Sequence, residues 1–328
     1  MKFLELTNKA PAVAMLGMCK NAGKTTVFNR LIREWAESES GILALTSIGR
    51  DGEGRDLVTG TYKPPIYMSE GMLAATAEEL LPLCDVSREI LAATGLYTSL
   101  GEIIIFRARS DGFVQLAGPA MVDQLKTLRK KLTGFGAACV MVDGALSRRS
   151  PLAGVPDGVC ILSTGASLDR DMEKVVADTA YVAGLLDLPE RELPGEEAGR
   201  VTLFTPDGGR IGADSVIQIK RPDGSCLLYF SGALTETQAK ALAQEKQKKE
   251  GLTVLVRDGS CLLTERQTYE RLQAQGVRFA VRQGTRLAAV AVNPVSAGGW
   301  RFDREAFYEK MRAAVAVPVL DVMREERS

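Results

Sequence analysis

The chain contains no histidine, and this absence excludes several kinds of functional site. A Ser-His-Asp triad, a histidine general base and a histidine-ligated metal all need an imidazole, so none of them can form within this chain. Any chemistry must therefore use carboxylates, lysine, arginine, hydroxyls or backbone amides, or a metal ion carried by a substrate.

Cysteines are few, and neither sign of charge dominates. The six cysteines lie far apart and form no Cys-x-x-Cys pair, so we expect neither a zinc site nor a disulfide framework. Scattered cysteines of this kind are typical of reduced core residues in a cytoplasmic protein. Basic and acidic residues number 41 each, whereas nucleic-acid binders usually carry a basic excess. The sequence therefore predicts no nucleic-acid partner.

Long apolar runs are also missing. No run approaches the roughly 20 residues of a membrane-spanning helix, and the N-terminus lacks the basic and apolar regions of a secretory signal. We therefore expect a cytoplasmic protein with no membrane association. The length of 328 residues instead suggests about two domains, or one large α/β unit.

Short apolar runs alternate with helical patterns in the first half of the chain. The runs are bounded by Gly, Asp or Ser, as is typical of strands buried in a parallel sheet, and they cover residues 12–16, 42–45, 103–106, 138–142 and 159–162. The intervening patterns predict helices over residues 25–37, 70–94, 121–132 and 169–186. Strands separated by helices indicate βαβ units in a doubly wound sheet.

A charged segment with prolines and a glycine, residues 189–197, interrupts this alternation and predicts a linker. Short antiparallel strands are expected over residues 202–229, and the α/β alternation then resumes. The sequence therefore predicts a first domain over residues 1–190 and a C-terminal α/β domain over residues 200–328.

A glycine-rich turn joins the first predicted strand to the first predicted helix, and it reads Gly-Met-Cys-Lys-Asn-Ala-Gly-Lys-Thr-Thr over residues 17–26. A strand, such a turn and a helix are the three parts of a triphosphate cradle. Gly23 permits close approach of the phosphates, and Lys24 is expected to reach the β and γ phosphates. The Thr25 hydroxyl is expected to bind Mg²⁺, which prefers oxygen ligands. ATP and Mg²⁺ are therefore the predicted cofactors.

The predicted nucleotide-binding residues of this turn are Gly17, Lys20, Asn21, Ala22, Gly23, Lys24, Thr25 and Thr26. The usual pattern has a glycine where this chain has Met18. The loop is therefore either one residue longer than usual or begins with a residue other than glycine. The predicted fold class is α/β, a P-loop NTPase with a doubly wound, mostly parallel sheet and a second α/β portion.

Acidic residues follow two of the apolar runs. Asp143 ends the run over residues 138–142, where such proteins hold the magnesium shell or its water. Asp51 lies in the loop after the second strand and is expected to position the attacking water or to reach the metal, with Glu53 as the competing choice. The predicted catalytic residues are Lys24, Asp51 and Asp143, and the predicted metal ligands are Thr25, Asp51 and Asp143.

Three further features concern the base of the nucleotide and the residues around it. A guanine-reading Asn-Lys-x-Asp element is missing from the sequence, which favours adenine as the base. Asn293 ends a late apolar run and either contacts the base or caps a turn. Cys19 lies inside the turn, where a thiol has either a redox role or a packing role, and the packing role is favoured.

The string Lys-Asn-Ala-Gly-Lys-Thr-Thr over residues 20–26, with the loop Thr-Ser-Ile-Gly-Arg-Asp-Gly over residues 46–52, resembles the KamB-like family. This family is the smaller, ATP-binding subunit of the lysine 5,6-aminomutase reactivase, and the resemblance extends to residues 143–145, 292–294 and 302–303. It implies an ATP-driven chaperone that acts with a larger ATPase subunit. Together they would restore a cobalamin-dependent aminomutase whose cofactor is damaged.

The turn alone is similar to that of the MobB family, GTP-binding helpers of molybdenum cofactor synthesis. Both families belong to the signal-recognition-particle, MinD and dethiobiotin-synthetase-like NTPases, which often act as dimers, so a homodimer is an expectation. Some members place a second lysine early in the loop. Lys20 is the candidate here, although it stands one residue closer to Lys24 than in the MinD pattern.

Three functions remain open from the sequence. The first is a slow, partner-stimulated ATP hydrolase that remodels another protein. The second is an ATP-dependent ligase or kinase of small molecules, similar to dethiobiotin synthetase. The third is a non-catalytic module that binds the nucleotide as a structural ligand.

Overall fold

The computed structural model describes residues 3–7, 10–38, 40–51, 65–144, 157–220, 222, 224–245 and 249–321. The chain divides into two compact units. The first consists of Met1–Ala180 together with Arg286–Ser328, and the second of Tyr181–Thr285.

The described helices are α1 Phe3–Thr7, α2 Lys24–Ala36, α3 Val122–Gly134, α4 Met172–Leu186, α5 Glu236–Gln244, α6 Arg266–Ala274 and α7 Arg304–Ala314. The described strands are β1 Ala12–Gly17, β2 Ile42–Ser47, β3 Arg50–Asp51, β4 Ile66–Met68, β5 Leu73–Ala77, β6 Arg88–Thr98, β7 Gly101–Ala108, β8 Gly112–Val114, β9 Leu116–Ala117, β10 Ala137–Asp143, β11 Val159–Gly165, β12 Val201–Phe204, β13 Arg210–Ala213, β14 Leu227–Phe230, β15 Leu234–Thr235, β16 Thr253–Val256, β17 Leu262–Leu263, β18 Arg278–Val281, β19 Arg286–Asn293 and β20 Val319–Asp321. Short 3₁₀ helices cover Glu78–Leu83, Val216–Gln218 and Gly259–Cys261.

The first unit is built on a sheet of nine described strands in the order β20-β19-β11-β1-β10-β2-β5-β7-β6. The strands from β20 to β5 are parallel, and β7 and β6 add an antiparallel end. All residues of β1 and β11 are buried, as expected where helices cover both faces of a parallel sheet. The predicted α/β class with a mostly parallel sheet is confirmed.

Helices α2 and α4 cover opposite faces of this sheet. Phe28 and Leu31 of α2 are fully buried in a cluster with Ile161 of β11, as the helical spacing predicts. Burying a side chain of this size contributes about 1.5–3 kcal/mol, so the packing fixes α2 to the sheet. Thr164 alternates with Ile161 along β11 and hydrogen-bonds Thr179 of α4 at 2.8 Å, which places α4 on the other face.

The helix predicted over residues 70–94 is wrong. The structure places β5, a 3₁₀ helix and the start of β6 there. The alanines, leucines and glutamates of this segment favour a helix. Residues 73–77 form a strand instead, because β5 lies between β2 and β7 with every one of its residues buried.

The second unit contains a sheet of five described strands in the order β13-β12-β14-β16-β18. Strand β12 is antiparallel to β13 and β14, as predicted, whereas β14, β16 and β18 are parallel. Helices α5 and α6 pack on one face, where their residues Leu242 and Leu272 share a cluster with Leu228, Val254 and Phe279 of the strands.

The chain returns to its first unit, which corrects the predicted domain boundaries. Strands β19 and β20 extend the first sheet from β11, so the prediction that residues 200–328 form one domain is wrong for residues 286–321. The predicted linker lies inside the second unit, where Arg191 N donates to Val281 O at 2.8 Å. Alternation of strand and helix patterns cannot predict the return of β19 and β20 to the first sheet, because it does not specify which strands pair.

Among the described residues, the helices are all too short or too polar to cross a lipid bilayer.

Candidate functional site

The glycine-rich turn lies at the carboxyl edge of the parallel sheet. Strand β1 ends at Gly17, and α2 begins at Lys24 with Gly23 as its N-cap. Ligands of open α/β sheets bind outside the carboxyl ends of the strands. The turn therefore occupies the edge of the sheet at which a binding site is expected.

The backbone of the turn is tightly curved. Gly23 and Asn21 have left-handed φ angles of 88° and 61°, and Asn21 is the only residue other than glycine with a positive φ in the described part of the chain. A Cβ on Gly17 would lie 3.3 Å from the carbonyl oxygen of Cys19, so a side chain there would crowd the turn. Met18 N donates to Ser163 O at 2.8 Å, so this residue begins the turn while still attached to β11.

The first turn of α2 presents backbone N–H donors beside the glycine-rich turn. The first N–H groups of an α-helix have no intrahelical acceptor, and Gly23 provides no side chain to cap them. The helix dipole makes this end positive, so it favours an anion. Thr25 is buried in this first helical turn and Thr26 is half-buried, so both predicted residues lie at the helix end.

Lys24 and Asp143 form an ion pair beside the turn. Lys24 Nζ lies 2.6 Å from Asp143 Oδ1 and donates to Gly144 O at 2.7 Å. The Lys24 side chain is 14% exposed and that of Asp143 is 0% exposed. A buried carboxylate is tolerated only when it is paired. The structure thus brings together two of the three predicted catalytic residues.

Strand register accounts for the position of Asp143. In β10, Asp143 stands opposite Met15 of β1, and Met15 and Met141 belong to the core cluster that contains α2. Residues two apart on a strand share a face, so the carboxylate lies on the face that α2 covers. Backbone bonds fix this strand end, because Ile48 N donates to Asp143 O at 2.8 Å.

Asn293 reaches the turn from the last residue of β19. Its Nδ2 donates to Asn21 O at 3.3 Å, and its Oδ1 accepts from Val295 N at 3.1 Å. Asn293 therefore supports the strained residue of the turn and caps the turn that follows β19. Of the two roles expected from the sequence, the structure shows the turn cap.

Ser163 is a site residue that the sequence reasoning missed. It stands opposite Gly17 in the register of β11 and β1, and it is completely buried. Within the described part of the chain, its Oγ has no hydrogen-bond partner. Buried polar groups are normally paired, so this hydroxyl calls for an explanation. A signal existed, because Ser163 directly follows an apolar run, just as Asp143 does.

Asp51, Lys20 and Ala22 are the remaining predicted positions. Asp51 lies in β3, where its backbone pairs with Leu116, but its side chain and residues 52–64, including Glu53, lie outside the described part. The catalytic and metal-binding roles of Asp51 stay predictions. Lys20 is exposed, and Ala22 is buried in the turn.

Burial determines the chemistry of the thiol in the turn. It raises the pKa of Cys19 from 9.0 to about 11. A thiol reacts as its thiolate, so Cys19 is held in its unreactive form near neutral pH. This favours the packing role over the redox role.

Comparison with known proteins gives no family for this chain. No protein-family model matches it, and no curated protein or solved structure matches it either. Its chemistry is therefore inferred from geometry. The turn and the helix end offer backbone amides, Lys24 is held beside a carboxylate, and a buried hydroxyl lies at the same edge.

Proposed function

We propose that this chain is a P-loop nucleoside triphosphatase that binds ATP with Mg²⁺ at residues 17–26 and hydrolyses it. The observation that carries the proposal is the 2.6 Å contact between Lys24 Nζ and Asp143 Oδ1, at the start of the helix that follows the glycine-rich turn. Phosphoryl transfer needs a cation for the phosphates and a carboxylate for the metal shell, beside backbone amides that bind oxyanions.

The residues present fit a triphosphate with its metal. Phosphate oxygens can approach the main-chain amides closely, because the backbone is curved at Asn21 and Gly23. Gly17 has no side chain that would crowd the turn. Among the described residues, no cluster of three or more acidic or cysteine side chains could hold a metal alone. This agrees with a metal that takes most of its ligands from phosphate and water.

Thr25 and Asp143 are the described residues that would hold Mg²⁺, and Ser163 is a third oxygen at the same edge. The metal, when bound, neutralises charge that develops on the phosphates. Asp51 keeps its predicted role in positioning water or metal. An unpartnered buried hydroxyl at this edge supports a ligand-binding role, because a polar ligand would satisfy it.

The chain's own groups act by position and charge. Lys24 is held at the end of β10 by Asp143 and by the carbonyl of Gly144, so its ammonium is oriented before any ligand arrives. Preorganised charge of this kind stabilises a transition state without reorganisation during the reaction. No proton relay is required, which suits a chain without histidine.

The resemblance to the KamB-like family supports a role for the hydrolysis. We propose that the chain is an ATP-driven reactivation factor for a cobalamin-dependent aminomutase and acts with a larger ATPase subunit. Such a factor hydrolyses ATP slowly alone and faster with its partner. The missing Asn-Lys-x-Asp element supports ATP over GTP.

Thermal unfolding with and without nucleotide tests the site. ATP with Mg²⁺ at a hundred times its Kd should stabilise the chain by about 2.7 kcal/mol. The Lys24→Ala variant should bind ATP about a hundredfold more weakly, because it loses charge-assisted hydrogen bonds. The control is Lys126→Ala, which removes the same charge from the exposed face of α3. Stabilisation that survives Lys24→Ala would place the nucleotide elsewhere.

The same experiment with GTP tests the base, and equal or greater stabilisation by GTP would overturn the choice of ATP. Hydrolysis rates with and without a purified cobalamin-dependent aminomutase and the larger ATPase subunit test the partner. An unchanged rate would overturn the role in reactivation while leaving the nucleotide site intact.

A further inference from the structure

A cavity of about 420 Å³ lies within the second unit, at the amino ends of the parallel strands β14, β16 and β18. This volume lies within the usual range for small-molecule sites. Three arginines line it, Arg191, Arg210 and Arg278. The described lining contains no aspartate or glutamate.

Strand register brings Arg210 and Arg278 to one face of the sheet. Phe204 stands opposite Arg210 on one side and Leu227 on the other. Leu227 pairs with Thr253, which in turn pairs with Arg278. Directly paired residues point to the same face, so the two arginines end a row whose middle is apolar and hydroxylic.

Arg191 enters the same row from the segment before β12. Its Nη1 donates to Thr253 Oγ1 at 3.3 Å, which places its guanidinium beside the middle of the row. Leu193, two residues later, packs against the cluster formed by Phe204, Leu227 and neighbouring residues. The segment therefore covers this face and carries the third cation to the cavity.

The positive charge of the cavity is only partly balanced. Arg210 Nη1 lies 3.6 Å from Glu196 Oε2, and the Glu196 side chain is 90% exposed. Arg191 bonds a neutral hydroxyl, and the side chain of Arg278 has no hydrogen bond or ion pair in the part of the chain that the structure describes. Glu197, nearby in sequence, pairs with Arg282 instead. Two of the three cations therefore have no described carboxylate.

We propose that this cavity binds a small organic anion through a phosphate or carboxylate group. Guanidinium groups bind both kinds of oxyanion with paired hydrogen bonds. Phe204 and Leu227, between the cations, would contact the apolar part of the ligand. The proposal does not depend on the nucleotide site, because all the residues named belong to the second unit.

Calorimetric titration of the full chain tests this proposal. The chain carries Lys24→Ala so that the glycine-rich turn contributes little binding, and the probes are pyrophosphate for phosphate and citrate for carboxylate. We expect saturable binding of at least one probe. Arg278→Gln and Arg210→Gln should each weaken it by about tenfold, because each removes charge-assisted hydrogen bonds.

The matched control is Arg266→Gln, which removes the same charge from α6 in the same unit, outside the cavity. It should leave the affinity unchanged. The probe that binds more tightly identifies the oxyanion. Failure of both probes to bind, or binding that Arg278→Gln and Arg210→Gln leave unchanged, would overturn the proposal.

Chemical labelling of the wild-type chain gives a second test, and this test does not depend on the folding of any variant. Phenylglyoxal modifies accessible arginines, and mass spectrometry reports each position. A saturating concentration of the bound probe should slow the modification of Arg191, Arg210 and Arg278 but not of Arg266. Equal labelling of Arg278 with and without the probe would contradict the proposal.

Discussion

The two units place their cationic groups at opposite ends of their parallel strands. In the first unit, Lys24 lies at the carboxyl ends, beside a helix N-terminus, and Asp143 balances its charge. In the second unit, arginines lie at the amino ends, and Arg191 and Arg278 have no carboxylate among the described residues. The first proposed anion site thus combines backbone amides with Lys24, and the second depends on arginine side chains. The Lys24–Asp143 pair is neutral without a ligand, whereas the three arginines of the second unit carry excess positive charge.

The difference predicts unequal effects on stability, and this is the largest effect we expect. Asp143→Asn should lower the free energy of unfolding by about 3 kcal/mol, because it leaves the mostly buried Lys24 without its counter-charge. Arg278→Gln should change it by less than about 0.5 kcal/mol, because this arginine is exposed and unpaired within the described residues. Urea denaturation measures both.

The double variant Lys24→Met with Asp143→Leu is the control for the pair. Removing both charges should recover much of the lost stability, because no unpaired buried charge remains. Equal stability losses in Asp143→Asn and Arg278→Gln would break the comparison between the two sites.

Burial at the turn of the first unit also predicts slow thiol chemistry. Because the pKa of Cys19 is raised from 9.0 to about 11, its thiolate fraction at pH 8 should be about a hundredfold below that of an ordinary exposed cysteine. Its alkylation by iodoacetamide, followed by mass spectrometry, should rise with pH until about pH 11. A plateau near pH 9 would show that the turn is open to solvent.

The smallest effect concerns the hydroxyl of Ser163, which stands opposite the first residue of the turn. Ser163→Ala should raise the stability of the ligand-free chain by about 1 kcal/mol, because it removes a buried polar group without a described partner. It should also weaken the binding of ATP with Mg²⁺ by a few-fold. Denaturation and nucleotide titration on the same samples measure the two effects.

Thr164→Val is the matched control, because the Thr164 hydroxyl is already bonded to Thr179 on the other face of the sheet. This variant should lose stability and keep its nucleotide affinity. A Ser163→Ala variant that behaves in the same way would assign Ser163 a purely structural role.

The sequence predicts the parts of the candidate site that depend on neighbouring strand ends. Asp143 could be identified because it ends a buried run, and buried runs place their carboxyl ends at one edge of a sheet. The composition of residues 70–94 predicts a helix, whereas the burial of β5 between two strands decides the structure.

Other features could not be predicted because they depend on pairing between distant segments. Arg210 and Arg278 share one face of the sheet only because of the register of the four residue pairs that link them. The return of β19 to β11 likewise requires knowledge of which strands pair. Local periodicity shows neither the register of strands nor which strands pair, so neither the cavity nor the domain boundary can be predicted from it.

The order of strands in the first unit has a consequence for synthesis on the ribosome. The turn of residues 17–26 is made early, but β19, which covers the edge of β11 and supplies Asn293 to the turn, is made only after the whole second unit. Until then β11 is an unpaired edge, and such edges invite aggregation. The nascent chain must therefore keep an incomplete sheet from pairing wrongly while the inserted unit is translated.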